Sequence, residues 1–412
     1  MGPISNGDAS LRWLGEEAEP TAPHLCLKEE ASSDSWPDGL GQAPPGMPSA
    51  GQETNALGRD LRGPLKVLMI ATVFNLSYRI LRCAQAAGAE VYVLGNAGAR
   101  GLRFSRYCRQ FILCDSVIDG ERDEALALEI NCFARDLAVS MVMPGDAPST
   151  RAIIACRDLI ETPCFPLPSL DQFDALNNKW AFGQLCERLG IRHPPTKLLP
   201  GAATLARGIS SGELKYPMVA KPLSRSGNGG VVILDGADTE NRLRTINYKP
   251  VLVQTLIHGK DIGASVYIRS GKIEAFVAHW LRRRVYHTFR HDQIYADIAK
   301  IAGEYTGDGV YNFDMILSPD GSVYYLECNP RFYFKINLTM VAGINFVALG
   351  LSKTRALEAS SIPDGVEARF PEAALVSLLS RANRLTWNDL AMAGYIVSDP
   401  VPYLMEQLNL TI

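Results

Sequence analysis

The chain reads as an α/β protein: a Rossmann-like parallel sheet first, then an α+β part built from hairpins. Three observations predict this. Over residues 64–143, apolar runs of strand length alternate with helically spaced ones, the pattern of a parallel sheet covered on both faces. Over 216–234, two strands are joined by a glycine-rich loop with no helix between them. Over 312–331, two apolar, aromatic-rich runs flank Ser318-Pro319-Asp320-Gly321, which reads as a hairpin with a short turn.

The elements follow in chain order. Residues 1–62 are rich in Gly, Pro, Ser, Asp and Glu without a sustained period, as in Trp36-Pro37-Asp38-Gly39. Such a segment buries too little apolar surface to offset the entropy of ordering it, so a disordered extension is expected. Order begins at Pro64. Lys66–Ala71 is a buried strand, 76–87 has helical spacing stopped by Gly88, and 90–94 is a second strand. Apolar runs at 109–114 and 139–143, with a helix near 121–137 between them, complete a first domain over 63–166. Its first turn, Thr72-Val73-Phe74-Asn75, lacks the glycines that a dinucleotide pyrophosphate needs. Gly145-Asp146 follows the last strand, where ligands meet an open sheet, though an ordinary loop aspartate is the simpler reading.

One helix with an acidic start is expected over 168–189, ended by Gly190. Strands are expected at 216–221, 231–234, 251–257, 262–268 and 273–280, then a helix over 292–306 and the hairpin. The remainder, 335–412, is mostly helical in pattern, and no internal repeat is visible.

Composition narrows the class. A chain of 412 residues, 47% hydrophobic and 21% charged, has ample core for two to three domains. A formal net charge of −3 provides no broad footprint for nucleic acid or an anionic membrane. Nine cysteines without CxxC spacing read as reduced thiols, mostly buried, of a cytoplasmic protein. No apolar run reaches transmembrane length, residues 1–30 lack a signal-peptide pattern, and Asn6 stands where myristoylation requires Ser or Thr.

The chemistry concentrates in four places. With a four-residue hairpin loop, Asp314 lies roughly opposite Glu327, and period-2 alternation puts Asn329 on the same face. Facing carboxylates repel; a divalent cation removes that problem, and oxygen ligands suit Mg²⁺ far better than Zn²⁺. Two solvated acids on an exposed strand are the plain alternative. Lys221 ends the strand Pro217-Met218-Val219-Ala220-Lys221, and Ser224-Arg225-Ser226-Gly227-Asn228-Gly229-Gly230 follows. Glycines admit phosphate oxygens to backbone N–H groups beside a lysine charge. A P-loop would lead into a helix; here Val231-Val232-Ile233-Leu234 continues as a strand, so the geometry is a flap, or simply a glycine-rich β-turn. The apolar strand around Gln254 and Leu256 turns at Gly259 and offers Asp261: its backbone can pair with an adenine edge and the acid with ribose hydroxyls. His279-Trp280-Leu281-Arg282-Arg283-Arg284, with His287 and Arg290, is either a solvated basic loop or a phosphate- and substrate-facing one. His258 and His279 read as structural.

In this order the residues resemble the ATP-grasp superfamily, specifically its carboxylate–amine ligase branch, related to D-alanine–D-alanine ligases and carbamoyl phosphate synthase. The resemblance covers about residues 64–350. It implies a pre-ATP-grasp Rossmann-like domain over 63–166 and a linker helix with a small lid over 167–258. A large subdomain with the metal site over 259–355 and a helical segment over 356–412 follow. It implies Lys179 and Lys221 as nucleotide-phosphate lysines, Ser226, Gly227 and Gly229 in the flap, Gln254 and Leu256 as backbone contacts to adenine, and Asp261 on the ribose. Asp314, Glu327 and Asn329 match the Mg²⁺ ligands, with Mn²⁺ as a substitute. Arg331 matches an arginine that stabilises the acylphosphate, and Arg290 one that reaches phosphate or substrate. The family commonly has Glu where this chain has Asp314 and Gln254. Phe332-Tyr333-Phe334-Lys335 replaces the small residues that relatives often carry beside the reaction centre.

The implied activity is an ADP-forming ligase: a substrate carboxylate takes the γ-phosphoryl of ATP and an amine displaces phosphate to make an amide. Small-molecule carboxylate and amine partners are implied, with no nucleic acid or membrane and with room for a homodimer. One rival is a carboxylase-type or non-amine acyl-phosphate enzyme; another is a non-catalytic ATP-binding regulator.

Overall fold

A computed structural model of the chain describes residues 65–224, 229–304, 307–352, 360–361, 364–379 and 386–408. The disordered extension expected over 1–62, and Ser226 and Gly227 of the flap, lie outside the described residues.

The first domain begins with β1 (Lys66–Ala71), α1 (Phe74–Ala86) and β2 (Glu90–Gly95). A 3-10 helix at Ala97–Phe104 leads to β3 (Cys108–Leu113), α2 (Glu124–Asp136), β4 (Met141–Pro144) and α3 (Ala147–Ala155). The four strands form a parallel sheet in the order β3-β2-β1-β4. The central strand β1 is apolar almost throughout because both its faces are covered, the reason it reads as a continuous run rather than an alternation.

The single helix expected over 168–189 is two, α4 (Leu170–Asn177) and α5 (Lys179–Arg188). Asn178 between them is extended, and its side chain accepts from the Trp180 and Ala181 N–H groups. An asparagine that caps the next helix competes with continuation of the previous one. The break places Lys179 on the first residue of α5, where its side chain leaves the helix axis.

A small antiparallel sheet follows, from β5 (Thr196–Leu199), β6 (Met218–Lys221), β7 (Val232–Leu234) and β8 (Val251–Thr255), in the order β5-β8-β6-β7. Helices α6 (Ala202–Ser210) and α7 (Thr239–Arg244) accompany it, and Leu205, Met218, Ala220, Leu234, Val251 and Val253 form its own core. By alternation Val219, Lys221, Leu252 and Gln254 face away from that core.

The large sheet contains β9 (Lys260–Arg269), β10 (Lys272–Arg282), β11 (Val285–Phe289), β12 (Gly309–Leu317) and β13 (Val323–Asn329), with α8 (Asp292–Glu304) between β11 and β12. Beyond β13 come α9 (Ile336–Ala342), α10 (Phe346–Leu351), β14 (Ser360–Ser361), β15 (Glu367–Arg369), α11 (Pro371–Leu379), α12 (Trp387–Ser398) and α13 (Pro400–Leu408). The strand order is β13-β12-β9-β10-β11-β15, with β14 beside β10. One face of this sheet buries Ile262, Ala264, Ala278, Phe313, Met315 and Tyr325 against α5 and α8. The opposite face carries the polar residues.

The C-terminal helices fold back on the first domain: Tyr395, Tyr403 and Met405 belong to the same core as β1 and α1. Among the described cysteines all are free; Cys132 is exposed and Cys108 and Cys164 are half-buried, so the expectation of buried thiols holds for the other five. Among the described residues no helix is long and apolar enough to cross a membrane.

Candidate active site

The hairpin of β12 and β13 is antiparallel, with Asp314 opposite Glu327 and Asn312 opposite Asn329. The route to that pairing differs from the expected one. Leu317 pairs with Val323, so Ser318–Ser322 form the connection, and a bulge falls between Asp314 and Met315, where Leu326 is the inserted residue. A regular ladder behind a four-residue loop would set Asp314 opposite Tyr325. The bulge restores parity: Tyr325 and Cys328 enter the core while Glu327 and Asn329 face the polar side.

Hydrogen bonds tie this face together. Ser265 Oγ donates to Asn312 Oδ1 (3.0 Å), Asn312 Nδ2 to Asp314 Oδ1 (3.3 Å), and Asn329 Nδ2 to Asp314 Oδ2 (3.1 Å) and Glu327 Oε1 (3.5 Å). Lys179 Nζ lies 2.8 Å from Glu327 Oε2. Burial, then the neighbouring Glu327 charge, push the Asp314 carboxyl up. Burial acts upward on Glu327 too, but Lys179 and then Lys221 outweigh it and hold that carboxyl low. The pair is thus one firmly ionised acid beside one reluctant one. The Asn329 amide NH₂ stands between the two carboxylates, and its oxygen faces Arg331. Oxygen donors of this kind fit Mg²⁺.

Two lysines approach from different elements. Lys179 is buried, and its backbone N–H donates to Leu223 O (3.0 Å), joining α5 to the loop that leaves β6. Lys221, also buried, is pushed down to about 8, by burial first and then by Lys179, against the pull of Glu327 and Asp314. Of the flap, Gly229 is described, and β7 returns antiparallel to β6 with Ala220 opposite Val232. Tyr248 Oη donates to Gly230 O (2.7 Å) at its base.

Other expected residues are placed differently. The Leu256 N–H donates to Pro217 O (3.2 Å), and Gln254 pairs with Thr196 on one side and Val219 on the other, its side chain donating to Thr196 Oγ1 (2.9 Å). The small sheet therefore uses the Leu256 N–H and the Gln254 side chain, and the Leu256 carbonyl has no part in these bonds. Asp261 opens β9 on the polar face, opposite Ile316. Arg331 is buried: its Nη2 donates to Asn329 Oδ1 (2.8 Å), while Nε has no partner. Arg290 is 78% exposed and pairs with Asp292 (3.0 Å) at the start of α8, because an exposed guanidinium takes the nearest carboxylate without desolvation.

The basic segment is a tight hairpin turn, Arg283 and Arg284 having φ of 48° and 65°, and Arg284 is held by Glu372. Asp146 is a helix cap: it accepts from Ser149 N (3.0 Å) on α3 and from the Thr72 and Val73 N–H groups before α1. Asn312 and Ser265 were missed from the sequence. Their signal was parity, since Asn312 lies two residues from Asp314.

No protein-family model matches the chain, and no curated protein matches it in sequence. Solved structures do. The biotin carboxylase domain dimer of a Hydrogenobacter thermophilus 2-oxoglutarate carboxylase, in complex with MgADP, ADP and bicarbonate, is 16% identical with a TM-score of 0.56, over 73% of this chain and 72% of that one. An L-amino acid ligase from Bacillus licheniformis is 18% identical with a TM-score of 0.52, over 70% and 74%. A carboxyaminoimidazole ribonucleotide synthase from Aspergillus clavatus, complexed with ATP, is 14% identical with a TM-score of 0.60, over 78% and 87%. At these identities the likeness concerns architecture.

Proposed function

We propose, for a chain that has the ATP-grasp fold, an ADP-forming ligase that activates a substrate carboxylate as an acylphosphate and passes it to an amine. The observation that carries this reading is one face of the large sheet on which Glu327 and Asp314 oppose each other, Lys179 closes on Glu327 and Arg331 on Asn329. Acids alone would suit a structural cation; two buried lysines and an arginine beside them suit a polyphosphate.

Asp314, Glu327 and Asn329 would hold Mg²⁺, which offsets charge on the β- and γ-phosphate oxygens. Lys179 and Lys221 neutralise phosphate charge from the helix and from β6. Arg331 binds the transferring group through the guanidinium edge that has no protein partner. The substrate carboxylate attacks the γ-phosphorus and ADP leaves; the amine then attacks the acyl carbon and phosphate leaves. No side-chain nucleophile is required, since positioning and preorganised charge supply the rate. The site residues and subdomain boundaries given above belong to this proposal.

A second reading is favoured by the likeness to carboxylases, one of which carries bicarbonate: bicarbonate would be the carboxylate that is phosphorylated. Both readings are tested by ADP release from MgATP over a panel of amino acids, singly and in pairs, with and without bicarbonate, and with Glu327→Ala as blank. Release that needs one amino-acid pair supports the ligase. Release that needs bicarbonate supports the carboxylase, and saturable ATP binding without release under any condition removes both.

A further inference from the structure

His279 is unused by the mechanism above, and its surroundings are unusual. It is fully buried on β10, yet neither ring nitrogen has a hydrogen-bond partner. Buried polar groups in folded proteins are nearly always paired, so an orphan asks for a ligand. Its place in the sheet says where. Pairing runs Glu327–Asp314–Gly263–His279–Thr288 across five strands, so the imidazole shares a face with the acid pair and only Gly263 intervenes. A Cβ on Gly263 would lie 2.8 Å from His279 Nε2, so the ring extends over β9 toward Asp314, and only glycine leaves room for it. Its other face stacks on Tyr286 (4.8 Å), which is itself held by Thr339 (3.1 Å).

We propose that Nε2 of His279 is a substrate contact that orients the acceptor amine on the ligase face. This rests on the ligase reading. Phosphates and carboxylates need donors, and Lys179, Lys221 and Arg331 supply them; the amine must attack uncharged and needs an uncharged partner. The groups facing the ring are Lys335 at the start of α9 and Tyr286 on β11, and both Asp261 on β9 and Asp314 on β12 interact with the same Lys335. Burial, then Lys335, keep the imidazole neutral, so its lone pair is available as a hydrogen-bond acceptor. As the C–N bond forms, the nitrogen gains positive character and its N–H bonds strengthen as donors, so the contact tightens in the transition state. The acyl C–O bond breaks, its electron pair leaves with phosphate, and the amine proton goes to that phosphate. His279 stays neutral throughout.

The test compares two acceptors. Wild type, His279→Phe and His279→Gln are supplied with MgATP and the carboxylate found by ADP release, and either the amine or concentrated hydroxylamine, which traps acylphosphate without being positioned. His279→Phe, which keeps the stack on Tyr286, is expected to lower kcat/KM for the amine about a hundredfold. Hydroxamate formation and the KM for ATP should stay within about twofold, and His279→Gln should recover about tenfold. Equal loss with both acceptors, or no loss with the amine, overturns the proposal. A wild type that releases ADP but yields no hydroxamate overturns the ligase reading and this inference with it. Gly263→Ala, which displaces the ring from the other side, should reproduce the acceptor-specific loss if His279→Phe does not fold.

Discussion

At Glu327 the fold and the chemistry pull in different directions. Its carboxylate repels Asp314, so removing it relieves one strain; it is also the partner of Lys179, which is only 7% exposed. An ammonium left buried without its counterion costs more than the repulsion it replaces, of order 1–3 kcal/mol at a partly solvated pair. Glu327→Ala is therefore expected to abolish ADP release and also to lower the melting temperature, whereas Glu327→Gln loses the activity with a smaller thermal shift. Melting curves beside the ADP assay check this, and an unchanged melting temperature in Glu327→Ala would show that Lys179 has another anchor. Lys221 poses the same question in terms of pH. Its ordinary value of 10.5 falls to about 8 in the folded protein, so the unfolded chain holds the proton more tightly. The sign follows: protonated Lys221 costs stability, fully below about 8 and progressively less toward 10.5. Lys221→Met should raise the melting temperature at pH 7 and change it little near pH 10.5. In wild type the affinity for MgATP should fall as pH rises above about 8, and Lys221→Arg should flatten that dependence. A pH-independent Kd in wild type would remove Lys221 from the phosphates.

Among the elements, β13 shows how a site can be legible while its construction is not. The acids and Asn329 are readable because strands alternate, and Lys221 because a glycine-rich segment follows a strand end. The bulge at Leu326 is not readable: nothing in Tyr324-Tyr325-Leu326-Glu327 marks which residue will be inserted, and the cue is only that the core needs both Tyr325 and Cys328. A chain lacking Leu326 would pair Asp314 with Glu327 in a regular ladder. Deletion of Leu326 is accordingly expected to keep the fold and measurable MgATP binding, as circular dichroism and calorimetry would register; loss of either would show that the bulge itself is required. The contact that Arg290 makes is hidden for a related reason. Position between two motifs says nothing about which way an exposed guanidinium turns, and Asp292 was two residues away. The break at Asn178 was hidden because capping and helix-interior asparagines look alike in sequence. The Leu256 amide depends on the path of Tyr216-Pro217, which spacing along the chain does not encode.

Across the whole molecule, Arg79 links the C-terminal helix α13 to the segment that follows β13. Arg79 on α1 is buried, lies 2.7 Å from Glu406 on α13, donates to Phe334 O (3.0 Å) and sits 3.6 Å over the Phe334 ring. Phe334 lies between Arg331 and Lys335. Helix α13 thus holds the segment that follows β13, by way of the first domain. The helical pattern of residues 335–412 was visible in sequence, but its destination was not, because a buried ion pair between positions 79 and 406 leaves no periodic trace. Glu406→Gln keeps shape and removes charge, leaving the Arg79 guanidinium buried with only neutral partners, at a cost of about 2–4 kcal/mol. The same change should raise the KM for the carboxylate substrate several-fold, by loosening Phe334 and Lys335, while the Kd for MgATP, set by Lys179, Lys221 and the acid pair, stays within about twofold. Denaturant titration and the two constants read these separately. A stability loss with both constants unchanged would make α13 a brace for the first domain alone; a matching rise in both would mean that the displacement reaches β13 itself.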